Sequence, residues 1–147
     1  MPDTDYYVEM LRVTNHLRVP VLRSAIRTLR LPSGSRGLDA GCGIGFPALL
    51  LAEAVGPTGH VTGLDLSPEF LVYAKEIVEK AGLSEQISFQ EGDMGKLPFD
   101  DDTFDWVWSV DCVGYAPLEP LPLDFILNHP DYYAFFTYSM FHGKVAK

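Results

Sequence analysis

The stretch LDAGCGIGFPALLLAE, residues 38–53, decides the fold of this chain. A short apolar run reaches Asp39 and Ala40, and a glycine-rich turn with the spacing G-x-G-x-G follows at once, from Gly41 to Gly45. The apolar residues behind the turn continue as they do in a buried helix, so the stretch predicts a strand, a tight turn and a helix. The glycines let the backbone turn sharply and bring its amides close to a ligand at the start of the helix.

Strands and helices alternate on both sides of this turn. Since such alternation builds parallel sheets covered on both faces, we predict an α/β fold, a truncated Rossmann-like doubly wound sheet of about four parallel strands with helices on both faces. Pro20 is expected in the first turn of its helix, and Ser67 is expected to cap another. The predicted helices cover residues 20–29, 46–54 and 68–81, and the predicted strands cover residues 37–40, 60–65, 87–90 and 104–110.

Length and charge limit the classes of protein to which the chain can belong. Its 147 residues suffice for one core, and we assign residues 1–147 to a single domain. The formal charge of -9 opposes binding to nucleic acids and anionic membranes. No apolar run suits a membrane span, and Cys42 and Cys112 fit neither a disulfide framework nor a zinc site. We therefore expect a cytoplasmic protein with free thiols and no metal.

Acidic and polar side chains stand where the predicted strands end, and ligands of open α/β sheets bind at that edge. Asp65 lies 20 residues beyond Gly45, a position from which a carboxylate can accept both hydroxyls of a ribose. The glycine spacing differs from the pyrophosphate fingerprint G-x-G-x-x-G, and Asp39 would repel a pyrophosphate. S-adenosylmethionine instead brings an ammonium for Asp39 and a carboxylate for the amides of the turn.

The sequence resembles the class I S-adenosylmethionine-dependent methyltransferases, in particular the small-molecule group that includes enzymes of ubiquinone and menaquinone biosynthesis. The resemblance rests on residues 38–53 together with VTGLDLSPEFLVYAKE (61–76), FQEGDMGKLPFDDDTFDWVWS (89–109) and VDCVGY (110–115). It implies methyl transfer from S-adenosylmethionine to a small-molecule substrate, with S-adenosylhomocysteine as the product. It also implies a cofactor site with Asp39, Gly41, Cys42, Gly43 and Gly45 at the methionine part, Asp65 at the ribose, Leu66, Asp93 and Met94 at the adenine, and Ser109 and Val110 as the floor.

The residues that follow the fourth predicted strand are candidates for catalysis. Methyl displacement needs chiefly orientation and a water-poor pocket, and Asp111 or Tyr115 could orient or deprotonate the nucleophile of the substrate. The alternative is a turn in which Asp111 caps backbone amides and Tyr115 packs. Asp93 likewise has an alternative role as a turn residue. Cys42 is expected to be a small packing residue in the loop.

The resemblance covers only about residues 36–115, and the tail, about residues 117–147, lacks the later helices and strands of the family's seven-stranded domain. A fourth strand without its usual neighbour would leave an open edge. We expect the aromatic tail to cover that edge, as a short helix ended by Gly143, or two chains to pair there as a homodimer. Three functions therefore stay open: an active small-molecule methyltransferase, a non-catalytic S-adenosylmethionine-binding module or truncated variant, and a nicotinamide-dependent oxidoreductase.

Overall fold

A six-stranded sheet flanked by helices forms the part of the chain that the computed structural model describes, residues 4–110, 132–136 and 139–141. Its strand order is β3-β2-β1-β4-β5-β6, in which the first five strands are parallel and β6 is antiparallel to β5. The α/β fold with four parallel strands is therefore confirmed, and two further strands come from the tail. The elements are α1 (Thr4–Leu29), β1 (Arg36–Ala40), α2 (Phe46–Val55), β2 (His60–Asp65), α3 (Pro68–Lys80), β3 (Ile87–Glu91), β4 (Trp106–Val110), β5 (Tyr132–Phe136) and β6 (Ser139–Phe141).

The two central strands, β1 and β4, are buried because all three described helices pack on one face of the sheet and the loop before β4 packs on the other. Four consecutive residues of β1, from Gly37 to Ala40, are inaccessible, which is typical of a central parallel strand. Gly37 is required here, since a Cβ at this position would come within 2.0 Å of the ring of Trp106 on β4. The indole Nε1 of Trp106 donates to Ser35 Oγ over 2.8 Å, so the large ring is packed without an unpaired donor.

Helix α1 is much longer than the sequence predicted. We expected it to begin at Pro20, but it begins at Thr4 and Pro20 lies inside it. A proline inside a helix removes one hydrogen bond and costs about 3 kcal/mol. The helix continues through it because one face stays buried from end to end, with Val8, Asn15 and Leu22 recurring every seven residues. Packing of this face therefore outweighs the local preference of the proline.

The aromatic tail was wrongly predicted to be a short helix. Its described residues form β5, which pairs in parallel with β4 from Val107 against Tyr132 to Val110 against Phe135, and β6. Consecutive aromatic residues favour strands, and the open edge of β4 offers unpaired backbone groups to a strand. The tail thus covers the edge of β4, one of the two expected alternatives, and that edge is not available to a second chain. Gly143 lies outside the described residues.

Candidate cofactor-binding site

The turn between β1 and α2 lies at the carboxyl end of the sheet, and its glycines have different surroundings. Gly41, Gly43 and Gly45 have φ angles of 77°, 53° and 80°, a region that other residues rarely adopt. A Cβ at Gly45 would lie 2.8 Å from the Cβ of Ala74, so Gly45 lets α2 start close against α3. At Gly43 the nearest described atom would be Leu11 Cδ1, 3.9 Å away. Gly45 therefore serves packing, whereas Gly43 leaves room beside the turn.

The amides of the turn fasten it to the end of β2. The backbone N–H groups of Gly41 and Cys42 both donate to the carbonyl oxygen of Leu64, over 2.7 and 2.9 Å. The N–H of Gly43 donates to Asp65 Oδ2 over 2.7 Å. These three donors are already used inside the protein, so the carboxylate of a ligand must displace those bonds or find other donors.

Asp39 is the most unusual titratable group at this edge. It is 1 % exposed, and its Oδ2 has no hydrogen-bond partner within the described part of the chain. Burial, and secondly the negative charge of Asp65, raise the pKa of Asp39 to about 8. Asp39 stands opposite Trp108 in the register of β1 with β4, which places Ser109 one residue further along the neighbouring strand. The Oγ of Ser109 is buried and has no hydrogen-bond partner in that part either.

Asp65 ends β2 and is held in a fixed orientation. Besides accepting from Gly43, it accepts a 3.0 Å hydrogen bond at Oδ1 from the backbone N–H of Ser67. The Oγ of Ser67 in turn accepts from Phe70 N and so caps α3, as predicted. Each carboxylate oxygen has two lone pairs, so Asp65 can still accept from a ligand's hydroxyls. The neighbouring Leu66 is 65 % exposed, an apolar surface that an aromatic ring could cover.

Asp93 and Met94 follow β3 in the next loop. Asp93 is exposed, and its Oδ1 accepts a 2.7 Å hydrogen bond from the backbone N–H of Gly95, which is the geometry of the turn residue expected as the alternative. Met94 is half-buried and packs against the small apolar cluster of Leu38, Ala40 and Leu64. Both residues follow β3, the neighbour of β2 in the sheet, and they therefore lie at the same edge of the sheet as Leu66.

The remaining predicted residues divide into packing residues and residues outside the described part. Cys42 is 3 % exposed, and a Cβ added to Gly63 on β2 would lie 2.9 Å from its Sγ, so its side chain fills space against the sheet. Val110 is half-buried at the end of β4. The catalytic candidates Asp111 and Tyr115 lie outside the described residues, and their roles stay predictions.

Sequence reasoning missed the part that α1 plays at this edge. Leu11 faces Gly43, and the ring of His16 lies 5.5 Å from that of Phe46 at the start of α2. Asn15, one helical turn after Leu11, is a buried polar residue with 8 % exposure. The sequence offered one signal. Asn15 is the polar residue in the series Val8, Asn15 and Leu22, which recur every seven residues on the buried face of α1.

Within the residues described, no group of three or more histidine, cysteine, aspartate or glutamate side chains could hold a metal ion. None of the helices in this part combines the length and the apolar character needed to cross a membrane. The buried polar atoms at this edge without a partner among the described residues include Asp39 Oδ2 and Ser109 Oγ.

A parallel sheet whose central strand ends in a buried aspartate and a glycine turn defines a Rossmann-like ligand-binding domain. Comparison with known proteins narrows this class. Residues 38–123 match the family model described as "Methyltransferase domain", and the chain belongs to that family.

Individual relatives agree with this assignment. The chain is 38% identical over 89 residues to the methyltransferase phqN of Penicillium fellutanum, covering 60% of this chain and 27% of that protein. It is 42% identical over 85 residues to the demethylmenaquinone methyltransferase of Bacillus cytotoxicus, covering 58% of this chain and 35% of that protein. The crystal structure of a SAM-dependent methyltransferase from Aquifex aeolicus superposes with a TM-score of 0.57 at 30% identity, covering 62% of this chain and 48% of that one. The chain thus spans about a third of the length of these two curated relatives.

Proposed function

We propose that this chain binds S-adenosylmethionine at the carboxyl ends of β1, β2 and β4 and transfers its methyl group to a small-molecule acceptor. The observation that carries the proposal is Asp39, a carboxyl group that is fully buried and lacks a hydrogen-bond partner at Oδ2 within the described residues. Such a group is unfavourable unless a cation or a donor reaches it. The ammonium of the cofactor's methionine part would supply both.

The other residues at this edge fit the rest of the cofactor. Asp65 is oriented by two backbone amides and retains lone pairs for the ribose hydroxyls. The exposed Leu66 and the half-buried Met94 offer apolar contact to an adenine, and Ser109 would form the floor of the site. The amides of Gly41, Cys42 and Gly43 are used internally, and Asn15, one helical turn after the Leu11 that faces Gly43, is proposed as a donor to the methionine carboxylate.

When bound, S-adenosylmethionine supplies a methyl group on a positively charged sulfur. The chain's contribution is to hold that group in line with an acceptor and to exclude water. Asp39 would fix one end and Asp65 the middle of the cofactor, and α1 would cover the glycine turn from the side of Leu11. Asp111 and Tyr115 are proposed to orient the acceptor or take its proton.

A small molecule is the acceptor class that we propose. One curated relative is named for demethylmenaquinone and another is a sterol 24-C-methyltransferase, and both names refer to small organic acceptors. The formal charge of -9 disfavours a nucleic acid in this role. We also propose a cytoplasmic location, with which the buried Cys42 agrees, since it is in no disulfide within the described residues.

A second candidate is a non-catalytic module that binds the cofactor. The matched stretch covers 27% and 35% of the two curated relatives, so their acceptor pockets can include residues that lie outside that stretch. This candidate expects binding without turnover. The third alternative, a nicotinamide-dependent oxidoreductase, is disfavoured by the glycine spacing G-x-G-x-G, which differs from the pyrophosphate fingerprint G-x-G-x-x-G.

Calorimetric titration tests the proposal directly. S-adenosylmethionine, S-adenosylhomocysteine and NAD are titrated into the chain, into Asp65→Ala and into Asp101→Ala, whose exposed aspartate lies in the loop before β4. We expect micromolar binding of the two sulfur compounds to the wild type and to Asp101→Ala, with loss in Asp65→Ala and no binding of NAD. A folded chain that binds neither sulfur compound would refute the proposal. The formation of S-adenosylhomocysteine is then measured with a panel of quinols and phenols as acceptors. Its formation indicates an enzyme, whereas binding without its formation indicates a non-catalytic module.

A further inference from the structure

Helix α1 has two halves that differ in how firmly the domain holds them. Residues 20–29 belong to the main core, to which they contribute Leu22, Ala25, Ile26 and Leu29. Residues 4–19, which we call the strap, contribute no side chain to that core within the described part of the chain. Two residues of the strap are buried, Val8 and Asn15. The second half is thus anchored in the core, whereas the strap is held by fewer buried contacts and can open more easily.

The helix is weakest where its two halves meet. Pro20 has no N–H group, so the backbone hydrogen bond to the carbonyl oxygen of His16 cannot form. Two side chains also bond to carbonyl oxygens of the strap. Thr14 Oγ1 donates to Met10 O over 2.8 Å, and His16 Nδ1 lies 3.0 Å from Arg12 O. Such bonds compete with the backbone and often bend helices, so the helix can bend just before Pro20.

The far end of the strap is fastened to α3 through Tyr73. The Oη of Tyr73 donates a hydrogen bond to Asp5 Oδ1 over 2.8 Å, in an exposed position. The guanidinium carbon of Arg12 lies 6.0 Å from the centre of the Tyr73 ring. Water can replace an exposed hydrogen bond, and a cation at this distance from an exposed ring is weakly bound. The strap can therefore be released at this end without disturbing the core.

Between Pro20 and Tyr73 the strap crosses the glycine turn. Leu11 Cδ1 is the nearest described atom to a Cβ placed at Gly43, and the ring of His16 lies 5.5 Å from that of Phe46. Asp39, which carries the proposed function, is 1 % exposed. The ammonium of a cofactor can reach this carboxyl group only if a covering element moves. The strap lies beside the turn and outside the main core, so it is an element that can move.

We propose that the strap is a gate over the cofactor site. It bends away at Pro20, with release of the hydrogen bond between Asp5 and Tyr73, to admit S-adenosylmethionine and to release S-adenosylhomocysteine, and it closes over the bound cofactor. The inference rests on the proposed function, because it requires the cofactor at this edge. A gate that is closed in most molecules with and without ligand changes the rates of binding and release by the same factor and leaves Kd unchanged. A residue that only contacts the cofactor changes Kd instead.

Stopped-flow binding of S-adenosylhomocysteine, followed by tryptophan fluorescence, tests the gate. Pro20→Ala supplies the missing N–H and strengthens the helix where it bends, so both rates should fall about tenfold. Tyr73→Phe keeps the ring but removes the donor to Asp5, so both rates should rise about threefold. Kd should change less than about twofold in either variant. Tyr6→Phe, which removes a tyrosine hydroxyl at a 60% exposed position of the strap, is the matched control and should bind like the wild type.

Hydrogen exchange followed by mass spectrometry measures the opening in the absence of any ligand. In the ligand-free chain we expect the amides of the strap to exchange at least about ten times faster than those of residues 22–29, and more slowly in Pro20→Ala than in the wild type. A strap as protected as residues 22–29 would overturn the gate even if the cofactor binds.

Binding and release rates that stay unchanged in Pro20→Ala, or that change together with Kd, would also overturn the gate. A folded chain whose strap opens but which binds neither sulfur compound gives a different result. It would refute the proposed function, and the gating role with it, while the exchange data would still establish the opening. The two failures are therefore distinguishable.

Discussion

Replacing Asp39 by asparagine should make the free energy of unfolding of the ligand-free protein less dependent on pH. The pKa of Asp39 rises from its ordinary value of 3.8 to about 8 in the folded chain, chiefly because of burial. Between these two values the folded protein holds a proton that the unfolded chain has lost. The resulting stabilisation is fully present below the lower value and is lost as the pH rises through the higher one. Asparagine keeps the shape of the neutral side chain and does not titrate.

The size of the effect follows from the two pKa values. The free energy of unfolding changes by at most about 1.4 kcal/mol per pH unit for one proton. From pH 5 to pH 8 the wild type should therefore lose about 3.5 kcal/mol relative to Asp39→Asn. This range stays above the isoelectric point of about 4.7, where the chain is least soluble. Other carboxylates titrate alike in both proteins, so their contributions cancel in the difference.

Urea denaturation followed by circular dichroism at each half pH unit measures this difference. Asp101→Asn, at an exposed aspartate, is the control and should follow the wild type throughout. If the free energies of unfolding of the wild type and Asp39→Asn change with pH in the same way, Asp39 is not buried as a neutral acid and the reasoning fails.

The same proton should be released when the cofactor binds. At pH 7 a group with a pKa of about 8 is about nine-tenths protonated. An ammonium beside Asp39 favours the ionised form, so titration with S-adenosylmethionine in buffers of different ionisation enthalpy should report about 0.9 proton released per site. Asp39→Asn should release none. Equal heats in all buffers for the wild type would contradict the pairing of Asp39 with the ammonium.

Three further substitutions test the local structure of the site. Gly45→Ala forces a side chain into a φ of 80° and within 2.8 Å of Ala74, so thermal unfolding should show a loss of about 2 kcal/mol or more. Ser67→Ala removes the cap of α3 and should cost about 1 kcal/mol in urea denaturation, with no effect as the contradicting outcome. Asn15→Leu fills a similar space without an amide donor; we expect weaker binding of S-adenosylhomocysteine, with unchanged binding of 5′-methylthioadenosine, which lacks the amino acid part. Unchanged binding of both compounds would leave Asn15 a purely structural residue.

The elements around the glycine turn were predictable because their signals are local. The apolar run before Gly41, the cap at Ser67 and the spacing to Asp65 each depend on a few neighbouring residues, and the structure places them together at one edge of the sheet. The sequence could not predict that Gly45 serves packing whereas Gly43 leaves room beside the turn. This difference depends on Ala74, which reaches Gly45 only after α3 has packed against α2.

Two elements were predicted wrongly because distant partners decide them. Pro20 is a local signal for the start of a helix, yet contacts of Val8 and Asn15 with the domain extend α1 by 16 residues before it. The tail was expected to be helical, but β5 takes its conformation from the edge of β4. Asn15 was missed for the same reason, because its position became meaningful only when α1 reached the glycine turn.

The central position of β1 also sets the order in which the pocket can assemble during folding. Arg36 on β1 pairs with His60 on β2, 24 residues away, whereas Asp39 pairs with Trp108 on β4, 69 residues away. Closing the longer loop costs about 1 kcal/mol more in chain entropy, and β4 also brings two bulky indoles that need a preformed surface. We therefore expect the glycine turn and Asp65 to meet early in folding, and Ser109 and the burial of Asp39 to follow. A chain caught between these stages would hold the ribose side of the site without the buried acid, with Asp39 still ionised in water.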